Sequence, residues 1–153
     1  MAIEALLALL GLGEKFQGKW SSAKKEATGH TKAILRELER NIDLINLWRK
    51  SKFDLDTVIQ KLEMTRFESA EAAHFNLNEI KSRKLTKTTT KNVPQYAKYI
   101  GWSTEKILSN IYRKIFVLKR IVEIDKDNEN INKEVRLTNI YKLILLFVLH
   151  VDS

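Results

Sequence analysis

Five apolar residues, Ile107, Ile111, Ile115, Leu118 and Val122, recur at intervals of three and four along the chain. This spacing returns side chains to one face of a helix, whereas a strand needs a period of two. The stretch therefore predicts a helix over 103–124. Gly101 ends what precedes it, Ser103 supplies an N-cap, and Glu105 sits in the first turn, where a carboxylate suits the helix dipole. The same period appears from Thr31 to Lys50, carried by Ile34, Leu38, Ile42, Ile45 and Trp48 and broadened by Leu35 and Leu44. On its outer side Arg36, Glu37, Glu39, Arg40 and Asp43 alternate in sign, the pattern of a solvated face.

Other segments fit between these two. Asp54 or Asp56 caps a short helix through Leu62, and Thr65 caps another over 65–80 with Phe67, Ala70, His74 and Leu77 on one face. Ala70, Ala72 and Ala73 permit a neighbouring helix to approach closely. A final helix over 132–151 carries Val135, Ile140, Leu143, Ile144, Phe147 and Val151, and Leu143 to Leu149 are apolar all round. Such a helix belongs at the centre of a bundle or against a second chain. With five glycines, one proline and no strand-period segment, the fold class is all-α. The expected architecture is a single-domain helical bundle of four main helices plus an N-terminal amphipathic helix, in up-and-down or crossover order.

The N-terminal run IEALLALLGL raises a separate question. Glu4 interrupts it and no lysine precedes it, unlike a secretory signal peptide. It gives way to Gly13, Glu14, Lys15, Lys19, Lys24 and Lys25 well before the about 20 apolar residues that a membrane span needs. An amphipathic helix remains, with Ile3, Leu6, Leu7 and Leu10 on one face and Phe16 and Trp20 extending it. Its thin polar side suits a helix covered by the fold, by a protein partner or homo-oligomer, or by an anionic membrane surface. Residues 1–25 are accordingly divided, as N-terminal helix and basic joint, from a bundle domain at 26–153.

The formal charge of +8 over 153 residues favours an acidic partner, nucleic acid or anionic lipid, and also serves solubility. The basic loop at 81–102 concentrates it. Lys81, Arg83, Lys84, Lys87, Lys91 and Lys98 lie there with Tyr96, Tyr99 and Trp102 close by, and KSRKLTKTTTKNVPQ reads as an exposed connection. Lysines on phosphates and aromatics on bases are the combination of single-strand binders. The helix after the loop carries a basic stripe of Lys106, Arg113, Lys114, Lys119 and Arg120.

No catalytic constellation accompanies these features. Absence of cysteine removes disulfides and thiolate metal sites and agrees with a reducing, cytoplasmic setting. His30, His74 and His150 are far apart. Glu71 and His74 give one Glu-x-x-His spacing where a di-iron bundle needs two. DKDNENINKEVR has Asn130 and Arg136 where a calcium loop needs glycine and a bidentate acid. Arg66 and His74 stand too far apart for the Arg-x(4–6)-His signature of small helical ribonucleases. No phosphate loop, nucleophile elbow or dinucleotide fingerprint is present. The expectation is a non-enzymatic interaction module without cofactor or metal. Its apolar N-terminal helix associates with protein or with anionic membrane, placing it peripherally at the membrane. The alternative is a nucleic-acid-binding bundle using the 81–102 loop and the 106–120 face.

Overall fold

A computed structural model of the chain describes residues 21, 23–25, 27–51 and 53–153. The N-terminal helix and its candidate contacts Ile3, Leu6, Leu7, Leu10, Phe16 and Trp20 lie outside the described residues. Among the described residues the fold is all-α, with no strand. Three long helices dominate: α1 (Gly29–Ser51), α5 (Thr104–Asp125) and α6 (Lys133–Asp152). Between α1 and α5 come α2 (Leu55–Lys61), α3 (Thr65–Ala72), a 3-10 turn at Leu77–Glu79, the short α4 (Lys87–Thr90) and a 3-10 segment at Pro94–Tyr99.

Helix starts follow the capping chemistry of the sequence. The carboxylate of Asp54 accepts from the Thr57 amide at 3.0 Å, the Ser103 hydroxyl from Lys106 N at 3.1 Å, and Asn132 Oδ1 from Val135 N at 3.0 Å. Gly29, at φ +54, turns the chain between the helical residues 23–25 and α1. Gly101, at φ +90, does the same between the loop and α5.

Helix α6 is the centre of the core. Every residue from Leu143 to Val148 is buried, as its unbroken apolar run predicts. Its most extensive packing is on α5, and α1 and α2 also lie against it. Thr104 meets His150, while Arg113 and Lys114 share a cleft with Arg136 and Asn139, so α5 and α6 run antiparallel. The Tyr141 hydroxyl donates to Asn46 Oδ1 at 3.2 Å, and Leu35 lies by Val151, so α1 is antiparallel to α6 as well. Stacked Phe67 and Tyr112 rings, with centroids 4.1 Å apart, join α3 to α5.

Three readings of the sequence are corrected here. The helix expected over 65–80 stops at Ala72. His74 takes a left-handed φ of 56°, Phe75 N donates to Ala70 O and His74 N to Glu71 O, the paired bonds of a Schellman C-cap. The outer face of α1 is not all solvated. Glu37 and Asn41 are fully buried, because with Arg40 they hold the turn between α2 and α3. Glu37 accepts from the Arg66 amide at 2.7 Å and the Phe67 amide at 3.1 Å, doing from another helix what a capping side chain at Met64 does not. Asn41 exchanges two hydrogen bonds with the backbone of Glu63, at 3.0 and 2.7 Å, and Arg40 pairs with the Glu63 carboxylate at 2.9 Å.

The third correction concerns the 81–102 connection. Leu85, Thr90, Val93 and Tyr96 are buried, and Leu85 exchanges backbone hydrogen bonds of 2.9 Å with Gly101 and Trp102. The Tyr96 hydroxyl donates to the Lys142 carbonyl at 2.7 Å. The loop is thus anchored to α6, while Lys84, Lys87 and Lys91 face out together with uncharged side chains such as Ile100.

Candidate anion-binding face

Most candidate cations of the loop and stripe have internal duties. Lys81 Nζ donates to the Val151 carbonyl at 3.3 Å and to the Ser153 carbonyl oxygen, and Arg83 donates to the Ser153 hydroxyl at 3.2 Å. Lys119 donates to the carbonyls of Gln60, at 2.6 Å, and Leu62, closing the C-terminal end of α2. Burial lowers the Lys119 ammonium's pKa. Lys106 lies 4.3 Å over the Trp102 ring, and Lys98 lies 5.2 Å over Tyr99. Arg120 pairs with Glu123 at 3.0 Å and covers Phe116. Lys84, Lys87 and Lys91 are exposed.

The loop aromatics are similarly occupied. Tyr96 is buried, and Tyr99 meets Trp102 edge to face at 4.9 Å. With Tyr96 buried and a lysine over each of Tyr99 and Trp102, these rings present no open pair of stacking faces of the kind that single-strand recognition uses.

Two charged residues of the stripe remain, and the fold gives them a setting. Arg113 and Lys114 line a cleft of about 310 Å³ between α5 and α6 with Asn110, Val117, Arg136, Asn139 and Ile140. Arg113, Lys114 and Arg136 have no acidic partner among the described residues. Asn110 contributes a buried Oδ1 with no hydrogen-bond partner. Arg136 was invisible as a site residue in sequence. It follows Arg113 by more than twenty positions, and only the antiparallel α5–α6 hairpin brings them together.

The two helices of the hairpin also expose apolar side chains, of which Val117 lines the cleft. Phe116 is 47% exposed, Val117 38%, Ile124 79% and Val135 52%. Lys24, Lys25, Lys32 and Arg36 line a second basic recess, in which Lys24 is paired with Glu39 at 2.5 Å.

The buried histidine has a structural role. The Thr104 hydroxyl, fully buried, donates to the Lys81 carbonyl at 2.5 Å and stands 2.8 Å from His150 Nε2. A hydroxyl with one proton given to the carbonyl accepts the second bond, so Nε2 of His150 carries the hydrogen. Burial, then the charges of Lys81 and Arg83, push the His150 pKa down to about 4. The unfolded chain therefore binds a proton that the folded chain refuses between that value and about 6.5. Stability should be at its full value above this window and fall as the pH drops through it, by roughly 2 kcal/mol. Thermal melts of wild type and His150→Gln across the window check this, and the variant should lack that part of the slope.

Among the described residues no three His, Asp or Glu side chains gather as a metal site, and no helix is long and apolar enough to cross a membrane. Comparison with protein-family models, curated proteins and solved structures gives no match in any of the three.

Proposed function

We propose that this chain is a non-enzymatic all-α interaction module acting peripherally at an anionic membrane surface in the cytoplasm. Residues 1–25 form its apolar and basic N-terminal part, and residues 26–153 form its basic bundle. One observation supports the reading: the α5–α6 hairpin carries cations without acidic partners, Arg113, Lys114 and Arg136 beside Val117, and on the same two helices the exposed apolar side chains Ile124 and Val135. Apolar insertion and attraction to anionic headgroups reinforce each other, and neither alone gives stable anchoring. In the N-terminal part Ile3, Leu6, Leu7, Leu10, Phe16 and Trp20 supply the first signal and Lys15, Lys19, Lys24 and Lys25 the second.

Flotation with vesicles of phosphatidylcholine, with and without phosphatidylglycerol, tests the reading. Binding should require the anionic lipid and decline with salt. Each cation near the surface contributes about 1 kcal/mol, so the triple variant Arg113→Gln, Lys114→Gln, Arg136→Gln should bind on the order of a hundredfold more weakly. Deletion of residues 1–20 should weaken binding independently. Equal flotation with neutral vesicles, or none with either, overturns the reading. A deletion that instead dissolves a homo-oligomer assigns the N-terminal stretch to a protein interface.

A second reading, nucleic-acid binding, draws on the outward-facing Lys84, Lys87 and Lys91. It predicts salt-sensitive retardation of DNA or RNA that disappears when these three become glutamate.

A further inference from the structure

The cleft between α5 and α6 is built where two helix faces meet. Arg113 and Val117 stand four residues apart on α5, Arg136 and Asn139 three apart on α6, and all four line the cleft with Lys114 and Ile140. Arg113, Lys114 and Arg136 pair with no acid among the described residues, whereas Lys24, Arg40, Arg120 and Lys133 each have a carboxylate partner. Arg113 also borders the groove between α3 and α5, where Glu68 and Glu71 lie, and it pairs with neither. Gathering three like charges around one space of about 310 Å³ is unfavourable until an anion enters it.

We propose that the cleft selects a phosphomonoester group over a phosphodiester, holding it between Arg113 of α5 and Arg136 of α6 with Lys114 beside them. A phosphomonoester carries about −1.5 to −2 charges at pH 7 and presents three strong acceptor oxygens, whereas a diester has a single charge and lacks one of those oxygens. Guanidinium forks match phosphate oxygens in pairs, and two forks, one from each helix, call for more oxygens than a diester offers. Lys114 adds a compact third charge, and the Asn139 amide has N–H donors for an oxygen that the guanidiniums leave free. Val117 and Ile140 give the ester arm an apolar wall. The volume is at the lower end of the range for small-molecule sites, about 300–1,000 Å³, which suits a phosphate with a short arm. Such a group is carried by a small ester in solution or by a lipid whose headgroup is the bare phosphate. Exposed Val117 at the cleft, with Ile124 and Val135 on the same two helices, favours the lipid-borne source. The inference rests on the membrane reading of this hairpin and adds which headgroup it selects.

The test uses the full chain and a variant that keeps its charge. Flotation compares phosphatidylcholine vesicles holding phosphatidic acid, a monoester, with vesicles holding phosphatidylglycerol, a diester, the two adjusted to equal surface potential. Calorimetric titration with ethyl phosphate and diethyl phosphate covers the free form. The variant is Arg113→Lys with Arg136→Lys, at two exposed positions, with helical content and melting checked. It retains both charges and loses both forks. Binding to phosphatidic acid about tenfold tighter than to phosphatidylglycerol, with the preference lost in the variant and phosphatidylglycerol binding kept, supports the proposal for a headgroup. No such preference, but saturable binding of ethyl phosphate about tenfold tighter than of diethyl phosphate and weakened about tenfold in the variant, supports it for a free ester. Equal binding of monoester and diester in both assays, or a preference that the variant retains, overturns it. The two readings fail separately: flotation that needs anionic lipid without distinguishing the headgroups leaves the membrane reading standing and removes the cleft, whereas selective titration without flotation does the reverse.

Discussion

Replacing Glu37 with alanine is expected to destabilise the protein by about 3–5 kcal/mol, a large fraction of the 5–15 kcal/mol that holds a typical domain together. The carboxylate is fully buried and serves three donors: the amides of Arg66 and Phe67 and the Tyr112 hydroxyl, the last at 2.9 Å. Alanine leaves all three without partners in a water-poor setting, and each orphan costs about 1–3 kcal/mol before relaxation. Burial, and after it the charge of Glu37, raises the Tyr112 pKa well above its ordinary value, so the phenol remains a donor at every working pH. Tyr112→Phe removes a single bond and should cost about 1 kcal/mol. Urea denaturation of wild type and both variants measures these differences. A Glu37→Ala loss no larger than that of Tyr112→Phe would show that α3 keeps its start by other means.

Phe147→Ala should have an effect of the same order, about 3–5 kcal/mol, through a different cause. Phe147 is fully buried on α6, the helix on which α1, α2 and α5 pack. Truncation removes ring contacts on several sides and leaves a cavity whose walls belong to different helices, so collapse around it is difficult. Phe147→Leu keeps most of the volume and should lose far less. Denaturant midpoints of the pair settle the point, and similar losses for both would place Phe147 at a softer site than its burial implies.

The parts of this fold that were legible in the sequence are those encoded by neighbours three and four residues apart. Helices α1, α5 and α6 fall within a few residues of their expected ends, because a wide apolar stripe marks each one and local caps at Ser103 and Asn132 fix the starts of α5 and α6. The central position of α6 was readable from its apolar run for the same reason. Helix α3 was expected too long, since Ala70, His74 and Leu77 keep a helical period that ends only through the left-handed turn at His74. Asn76 and Asn78, which bracket Leu77 in the following 3-10 turn, were the available sign of a break. Glu37 was hidden among alternating charges because its partners lie 29 and 30 residues away, beyond any local pattern. The candidate site shows the same limit. Arg113 and Lys114 stood out as part of a stripe, but the loop lysines beside the aromatics were the louder signal. Only tertiary structure shows Lys81, Arg83 and Lys119 bonded to internal oxygens and Arg136 brought to the cleft.

The central place of α6 also sets the order in which the protein can come into being. Helices α1, α2 and α5 are made before it, yet each turns part of its apolar surface toward a partner that the ribosome has still to deliver. Until Leu143 to Val148 emerge, the nascent chain carries those surfaces uncovered, and helical turns formed early have only the packing among α1, α2, α3 and α5 to hold them. Completion of the core therefore waits for α6, and until then the chain carries apolar surface that is open to chaperones and to aggregation.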